Sequence, residues 1–337
     1  MNRYIFEIAF LFIGLCIGYL AFALSHVTFP EWFHDEPIKA APWHPKSIET
    51  DLPAGQTGAL IKHGYLLITK TSDHIGPLAK DPAMRLAGNN LSCNNCHLNA
   101  GRKIGAGSFV GVANRFPQFR GRENKIGTLE ERINGCMERS MAGQRLPEDS
   151  EAMKAMIAYM SWLSQDVPPE MEKLYKGYVK IDIPTAKADP LKGKSLYGLQ
   201  CQHCHGENGE GMKIPGEKFT GYIYPPLGGT DTFNDGAGMN RVLTAAQFIK
   251  ANMPFGATHD APLVTDEEAY HLAAFINTFK RPEKPNKAAD FPDKKLKPVS
   301  TPYGPWEDDF SPEQHKFGPF QPIMDFYKEE YDLVKTK

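Results

Sequence analysis

The feature that most constrains this chain is a five-residue pattern that occurs twice, Cys93-Asn94-Asn95-Cys96-His97 and Cys201-Gln202-His203-Cys204-His205. In a CxxCH segment two thiols three residues apart, on one helical turn, reach the two vinyl groups of a haem. The next residue turns its imidazole toward the iron. A thioredoxin-like redox pair and half of a zinc site are the competing readings, and neither explains a histidine directly after the second cysteine in both places. Six cysteines in 337 residues are too few for a disulfide scaffold. A formal charge of −2 argues against a general nucleic-acid binder, and 41% hydrophobic residues argue against a disordered chain. The length suits two ordinary domains, one for each haem.

Arg3 precedes an apolar run from Ile5 to Leu24, broken only by Glu7. The run reads either as the core of a secretory signal, with Ala21 and Ala23 supplying an A-x-A cleavage pattern, or as a short membrane anchor. Both readings export the rest of the chain. Cys16 lies within the run and reads as an apolar thiol in a membrane segment.

The second CxxCH sits in a helix with a recognisable face. Gly193, Tyr197 and Cys201 recur every four residues, so the glycine permits close helix contact while the aromatic packs over the haem edge. This resembles the N-terminal helix of class I cytochromes c. The matching C-terminal helix is expected over Thr265 to Phe279, with Thr265 and Glu268 as a capping box and Leu272, Ala273, Ile276 and Phe279 on one stripe. A weak internal repeat is also visible. Asp149 to Ser164 reads as the equivalent helix of the first half, and the pairs Thr128 with Glu131 and Thr244 with Gln247 predict shorter helices upstream of each.

Eight residues after Thr128 comes Cys136, and nine after Thr244 comes Met253. The two sulfur residues hold corresponding places, where a second axial ligand is needed. Met253, in a loop with Pro254 and Gly256, suits the second haem, while Met212, Met239, His259 and His271 remain competitors. Cys136 is the counterpart for the first haem, against a buried free thiol or a disulfide to Cys16. A thiolate lowers a haem's tendency to accept electrons, which points to chemistry at sulfur rather than simple electron carriage. From Gly101 to Arg145 there are nine basic and four acidic residues, a local charge of +5 in an otherwise acidic chain. Arg132 falls one helical turn before Cys136. The adjacency favours binding of a small oxyanion over a solvated basic face or a docking site for an acidic partner.

The segment Arg132-Ile133-Asn134-Gly135-Cys136-Met137-Glu138-Arg139-Ser140, with the two CxxCH motifs and Asn252-Met253-Pro254, resembles the dihaem thiosulfate dehydrogenases, some of which act as tetrathionate reductases. The likeness extends from the helix near Gly55 to the segment Gln314 to Ile323. It implies two covalently bound haem c groups, the first ligated by His97 and Cys136 and forming the active site. The second, ligated by His205 and Met253, passes electrons to a small redox protein or membrane carrier. It also implies that Arg122 and Arg132 orient the substrate, and that thiosulfate and tetrathionate are interconverted with Cys136 as the sulfur carrier. Some members have a lysine before the ligand methionine that can replace it. Asn252 stands there in this chain, and an amide is a poor iron ligand.

The fold class expected is all-α, two class I cytochrome c-like domains in tandem with a long irregular C-terminal extension. Residues 1–28 form the signal or anchor, 29–53 a linker, 54–165 the first domain, 166–190 a connector and 191–281 the second domain. Residues 282–337 form a Pro-rich extension over both domains, anchored by Trp306, Phe310, Phe317, Phe320 and Phe326. The location expected is periplasmic, either soluble after cleavage or tethered to the inner membrane through residues 5–24. The rival functions are a dihaem electron-transfer subunit without its own substrate and the haem subunit of a sulfur-oxidising multienzyme complex. A dihaem peroxidase fits less well, because each haem already has two ligand candidates.

Overall fold

The computed structural model describes residues 2–28 and 43–336; most of the expected linker therefore lies outside the described residues. Two compact units are present. The first contains α1 (Asn2–Thr28), whose segment Phe6–Leu24 is long and apolar enough to cross a membrane.

The second unit begins at Pro45 and holds two apolar cores. In the first, α2 (Gly55–Thr69) packs on α4 (Glu151–Trp162), with α3 (Leu129–Met137) alongside. Met153, Met156, Met160 and Leu163 are buried there. In the second core, α5 (Pro190–Gln200) packs on the helix Asp266–Ile276, with Val242–Asn252 between the two in sequence; these are α7 and α6. Each pair crosses at a glycine. A Cβ at Gly64 would overlap the Ala155 carbonyl oxygen, and one at Gly193 would overlap that of His271. The internal repeat is thus a repeat of backbone contact as well as of motif.

The capping boxes at Thr128/Glu131 and Thr265/Glu268 are both formed, the hydroxyl accepting from the third backbone N–H and the carboxylate accepting from the Thr N–H. Thr244/Gln247 is not a cap. α6 begins earlier, after Arg241, and Thr244 is buried as the third residue of its first turn. The helix starts where its apolar face does, since Val242, Leu243, Ala245, Ala246 and Ile249 are all buried. Residues three apart share a face anywhere in a helix, so the pattern alone does not mark an end. Cys136 and Met253 nevertheless hold related places, one in the last turn of α3 and the other just past α6.

Strand content is slight: β1 (Gln118–Arg120) pairs antiparallel with β2 (Lys125–Gly127), and β3 (Met212–Lys213) with β4 (Tyr222–Tyr224). Beyond α7 the chain is mostly irregular until α8 (Pro312–Phe317) and α9 (Gln321–Tyr331). Phe320, Ile323, Met324 and Tyr327 enter the second core. Phe233 and Ala237, by contrast, leave the second half and join the first core.

The helix crossings give a test with opposite signs. Gly193→Ala should destabilise the protein by about 1–3 kcal/mol through overlap with backbone. Gly198→Ala, on the exposed face of α5 with only a flexible Gln202 side chain nearby, should stabilise it by about 0.5–1 kcal/mol through helix propensity. Urea denaturation of both variants distinguishes these outcomes; equal effects would contradict the crossing geometry.

Candidate active site

A cleft of about 420 Å³ opens in the first core, bordered by Cys93, Cys96, His97 and Cys136 and lined by Leu91, Phe109, Met141, Met156 and Met160. Phe233 and Met239 complete the lining from the second half. His97 Nδ1 lies 2.6 Å from the Gly107 carbonyl oxygen, which fixes the ring and leaves Nε2 for a metal. Phe109 packs against the same ring at 4.5 Å. His97 and Cys136 approach within hydrogen-bonding reach, from a CxxCH turn and from α3. Two thiols at one edge of an apolar slot, with imidazole and thiolate converging on one point, form a donor set that fits a haem c.

Several groups hold Cys136 in position. Asn134, fully buried on α3, donates to the Leu146 carbonyl at 3.0 Å and accepts from the Leu146 N–H at 2.8 Å. Asn89 donates to the Ser140 carbonyl and Asn234 to the Glu138 carbonyl, so the turn after Cys136 is held from both halves of the chain. Arg132 Nη1 donates to Cys136 Sγ at 2.7 Å.

The three sulfurs of the cleft have opposite acidities. Burial pushes the Cys93 thiol up to about 11 and Cys96 to about 12. Burial would raise Cys136 as well, but the Arg132 guanidinium, His97 and Arg139 outweigh it and bring the thiol down to about 5. Cys136 is therefore a thiolate at neutral pH, as a metal ligand or a sulfur nucleophile requires.

On the other side of Cys136 lies a polar pocket of about 270 Å³. It shares Arg132, Cys136 and Ser140 with the cleft and adds Arg120, Arg122, Arg139 and Arg241. Arg122 donates to Asp290 Oδ2 at 2.5 Å and to the Tyr303 hydroxyl at 2.9 Å, and stacks over Phe291 at 4.9 Å. Burial would raise the Asp290 carboxyl; Arg122, Tyr303 and Lys284 hold it below its ordinary range. The structure therefore gathers the expected Arg122, Arg132 and Cys136 into one pocket and adds Arg139, Arg241 and Phe291 to its lining, with Asp290 and Tyr303 bonded to Arg122; sequence reading missed these five as site residues. No local signal marks them, since Arg122 and Asp290 stand 168 residues apart.

The second CxxCH follows α5. His205 is buried, its Nδ1 2.9 Å from the Pro225 carbonyl oxygen, and desolvation lowers its basicity, so it is a neutral imidazole with Nε2 available. Tyr197 is buried and donates to the Gly206 carbonyl at 2.7 Å. Cys201 and Met253 pack against the same apolar cluster. Among the competitors, Met239 borders the first cleft, His271 Nδ1 accepts from the Asp189 N–H, His259 faces Asp260 and Met212 is exposed in β3. Asn252 is buried and donates to the Phe248 and Gly105 carbonyls, the latter in the loop that also holds His97. The six cysteines form no disulfide.

Family models agree with this division. Residues 85–168 match the model described as SoxA/TsdA, cytochrome c domain, and residues 191–280 match Cytochrome c. A thiosulfate dehydrogenase of Stutzerimonas stutzeri (strain A1501) is 38% identical over 237 residues, covering 70% of this chain and 72% of the relative. That of Allochromatium vinosum is 39% identical over 235 residues, covering 68% and 82%. The solved thiosulfate dehydrogenase (TsdBA) from Marichromatium purpuratum, as isolated, superposes with a TM-score of 0.64 at 33% identity, covering 72% of this chain and half of that longer one. The tandem cores, the two CxxCH turns and these likenesses place the chain in the thiosulfate dehydrogenase family, as a c-type cytochrome with two covalently bound haem c groups.

Proposed function

We propose that this chain is an oxidoreductase that joins two thiosulfates into tetrathionate and runs the same steps in reverse. The observation that carries this reading is the position of Cys136: its sulfur is shared by the haem cleft and the arginine pocket and is bonded to Arg132 at 2.7 Å. A chain that only carried electrons would have no use for a polar, cationic pocket against the thiolate that borders the haem cleft. In this reading Cys93 and Cys96 attach the first haem, with His97 and Cys136 as its ligands. Cys201 and Cys204 attach the second, with His205 and Met253.

The bound haems supply two one-electron acceptors. Arg122 and Arg132 draw a thiosulfate dianion to the thiolate and offset the repulsion between them. A bond forms between Cys136 Sγ and the terminal sulfur of thiosulfate; thiolate and thiosulfate together lose two electrons and become Cys–S–S–SO3⁻. The terminal sulfur of a second thiosulfate then attacks the sulfur bonded to Sγ. The Sγ–S bond breaks, its electron pair returns to Cys136, and tetrathionate leaves, as in thiol–disulfide exchange. Cys201, Cys204, His205 and Met253 would hold the second haem, which would supply the exit for electrons toward a cytochrome-type partner. The apolar α1 serves as an export signal or as an inner-membrane tether, which places the unit in the periplasm.

Three outcomes test this reading. Cys136→Gly should abolish turnover with thiosulfate and tetrathionate while both haems stay attached; retained activity would remove the mechanism. Protein-film voltammetry of the native enzyme should give an oxidative current with thiosulfate and a reductive one with tetrathionate, and absence of the second would rule out reversibility. Asp290→Asn frees Arg122 from its carboxylate and should raise KM for thiosulfate roughly three- to tenfold with the haem spectra unchanged. An unchanged KM would mean that Arg122 is positioned by Tyr303 and Phe291 alone.

A further inference from the structure

The five arginines around Cys136 differ in how their charge is met. Arg120 forks onto Glu123 with two bonds of 3.0 Å, Arg122 has Asp290, and Arg132 has the Cys136 sulfur. Arg139 is buried and reaches a carboxylate only at 3.8 Å, the Glu123 oxygen already engaged by Arg120. Arg241 has no carboxylate partner within salt-bridge distance among the described residues, and its guanidinium makes one long bond of 3.4 Å to the Gly238 carbonyl. Both guanidinium groups lie over glycines that line the pocket, Arg139 over Gly135 and Arg241 over Gly238. Two buried cations are therefore gathered in one pocket with little to balance them, an arrangement that costs free energy unless an anion completes it.

The proposed reaction needs two dianions at one sulfur, and Arg122 and Arg132 account for one. We propose that Arg139 and Arg241 form a second sulfonate subsite, which seats the incoming thiosulfate for attack on the sulfur held at Cys136. In the reverse direction it holds the far sulfonate of tetrathionate while the near half bonds to Sγ. The inference rests on the function proposed above and assigns the seat of its second substrate. The pocket holds the volume of about nine liquid waters, more than one small anion needs. Burial and the neighbouring arginines push both Arg139 and Arg241 down to about 10, which is the electrostatic mark of unbalanced charge and is relieved by an anion. Arg241 comes from the second half, immediately before α6, the helix that ends at Met253. The subsite is complete only when both halves are in place.

The step it serves balances as written: the nucleophilic terminal sulfur of the second thiosulfate bonds to the Cys136-linked sulfur, and the electron pair of the broken bond returns to Sγ. Loss of the subsite should slow this step and spare formation of the first adduct. In the full-length dihaem protein, Arg241→Gln should raise KM for tetrathionate and thiosulfate roughly 10- to 100-fold. Mass spectrometry after exposure to thiosulfate and an electron acceptor should show more of the Cys–S–S–SO3⁻ adduct at Cys136 than in the native enzyme. Arg241→Lys should recover part of the loss, and Arg145→Gln, which removes an exposed charge paired with Glu148, should behave as native. Native KM and no added adduct in Arg241→Gln would overturn the subsite, and so would an equal loss in Arg145→Gln, which would indicate a general field. If the native enzyme turned over neither thiosulfate nor tetrathionate, the functional reading itself would fall. Native turnover with unaffected Arg241 variants removes the subsite alone.

Discussion

An anionic sulfur inside a protein must be neutralised where it sits, and the architecture around α3 follows from that requirement. Water is excluded on the cleft side by methionines and aromatics, so the compensating charge comes from the other side. Arg132 reaches the sulfur directly because one helical turn separates the residues. Arg139 and Arg122 add to the same field and must themselves be held against mutual repulsion. Asp290 performs this for Arg122 from a segment far along the chain. A truncation that spared both haem-binding motifs but lost this segment would leave Arg122 without its counter-charge.

The two cytochrome cores share a plan and depart from it in one respect. Each crosses a pair of helices at a glycine, fixes the CxxCH imidazole through a backbone carbonyl, and places a sulfur residue at the end of a shorter helix. The departure lies in the polarity around that sulfur. Met253 follows an apolar helix, whereas Cys136 lies among arginines. A thioether needs no counter-charge and a thiolate does. A change from thioether to thiolate at this place thus requires the surroundings to be rebuilt, including contributions from the other half of the chain.

Much of this was legible in the sequence wherever the signal is local. CxxCH, the Thr128 and Thr265 capping boxes, the Gly193–Tyr197 face and the Arg132–Cys136 turn all lie within a few residues of one another, and helix geometry dictates their placement. Thr244 misled because i,i+3 spacing is satisfied inside a helix as readily as at its start. Arg241, Asp290 and Tyr303 were illegible for the opposite reason: only tertiary folding brings them to the pocket. The C-terminal extension reads as proline-rich coil, yet Phe320 and Tyr327 bury fully because the second core lacks a wall without them.

Phe233 and Met239 line the first cleft, although the cysteines that border it stand far earlier in the chain. In chain order Cys93 and Cys96 therefore stand well before the residues that close over them. Without the second half the slot lacks the Phe233 and Met239 side of its lining, so the first CxxCH turn cannot by itself enclose what it binds.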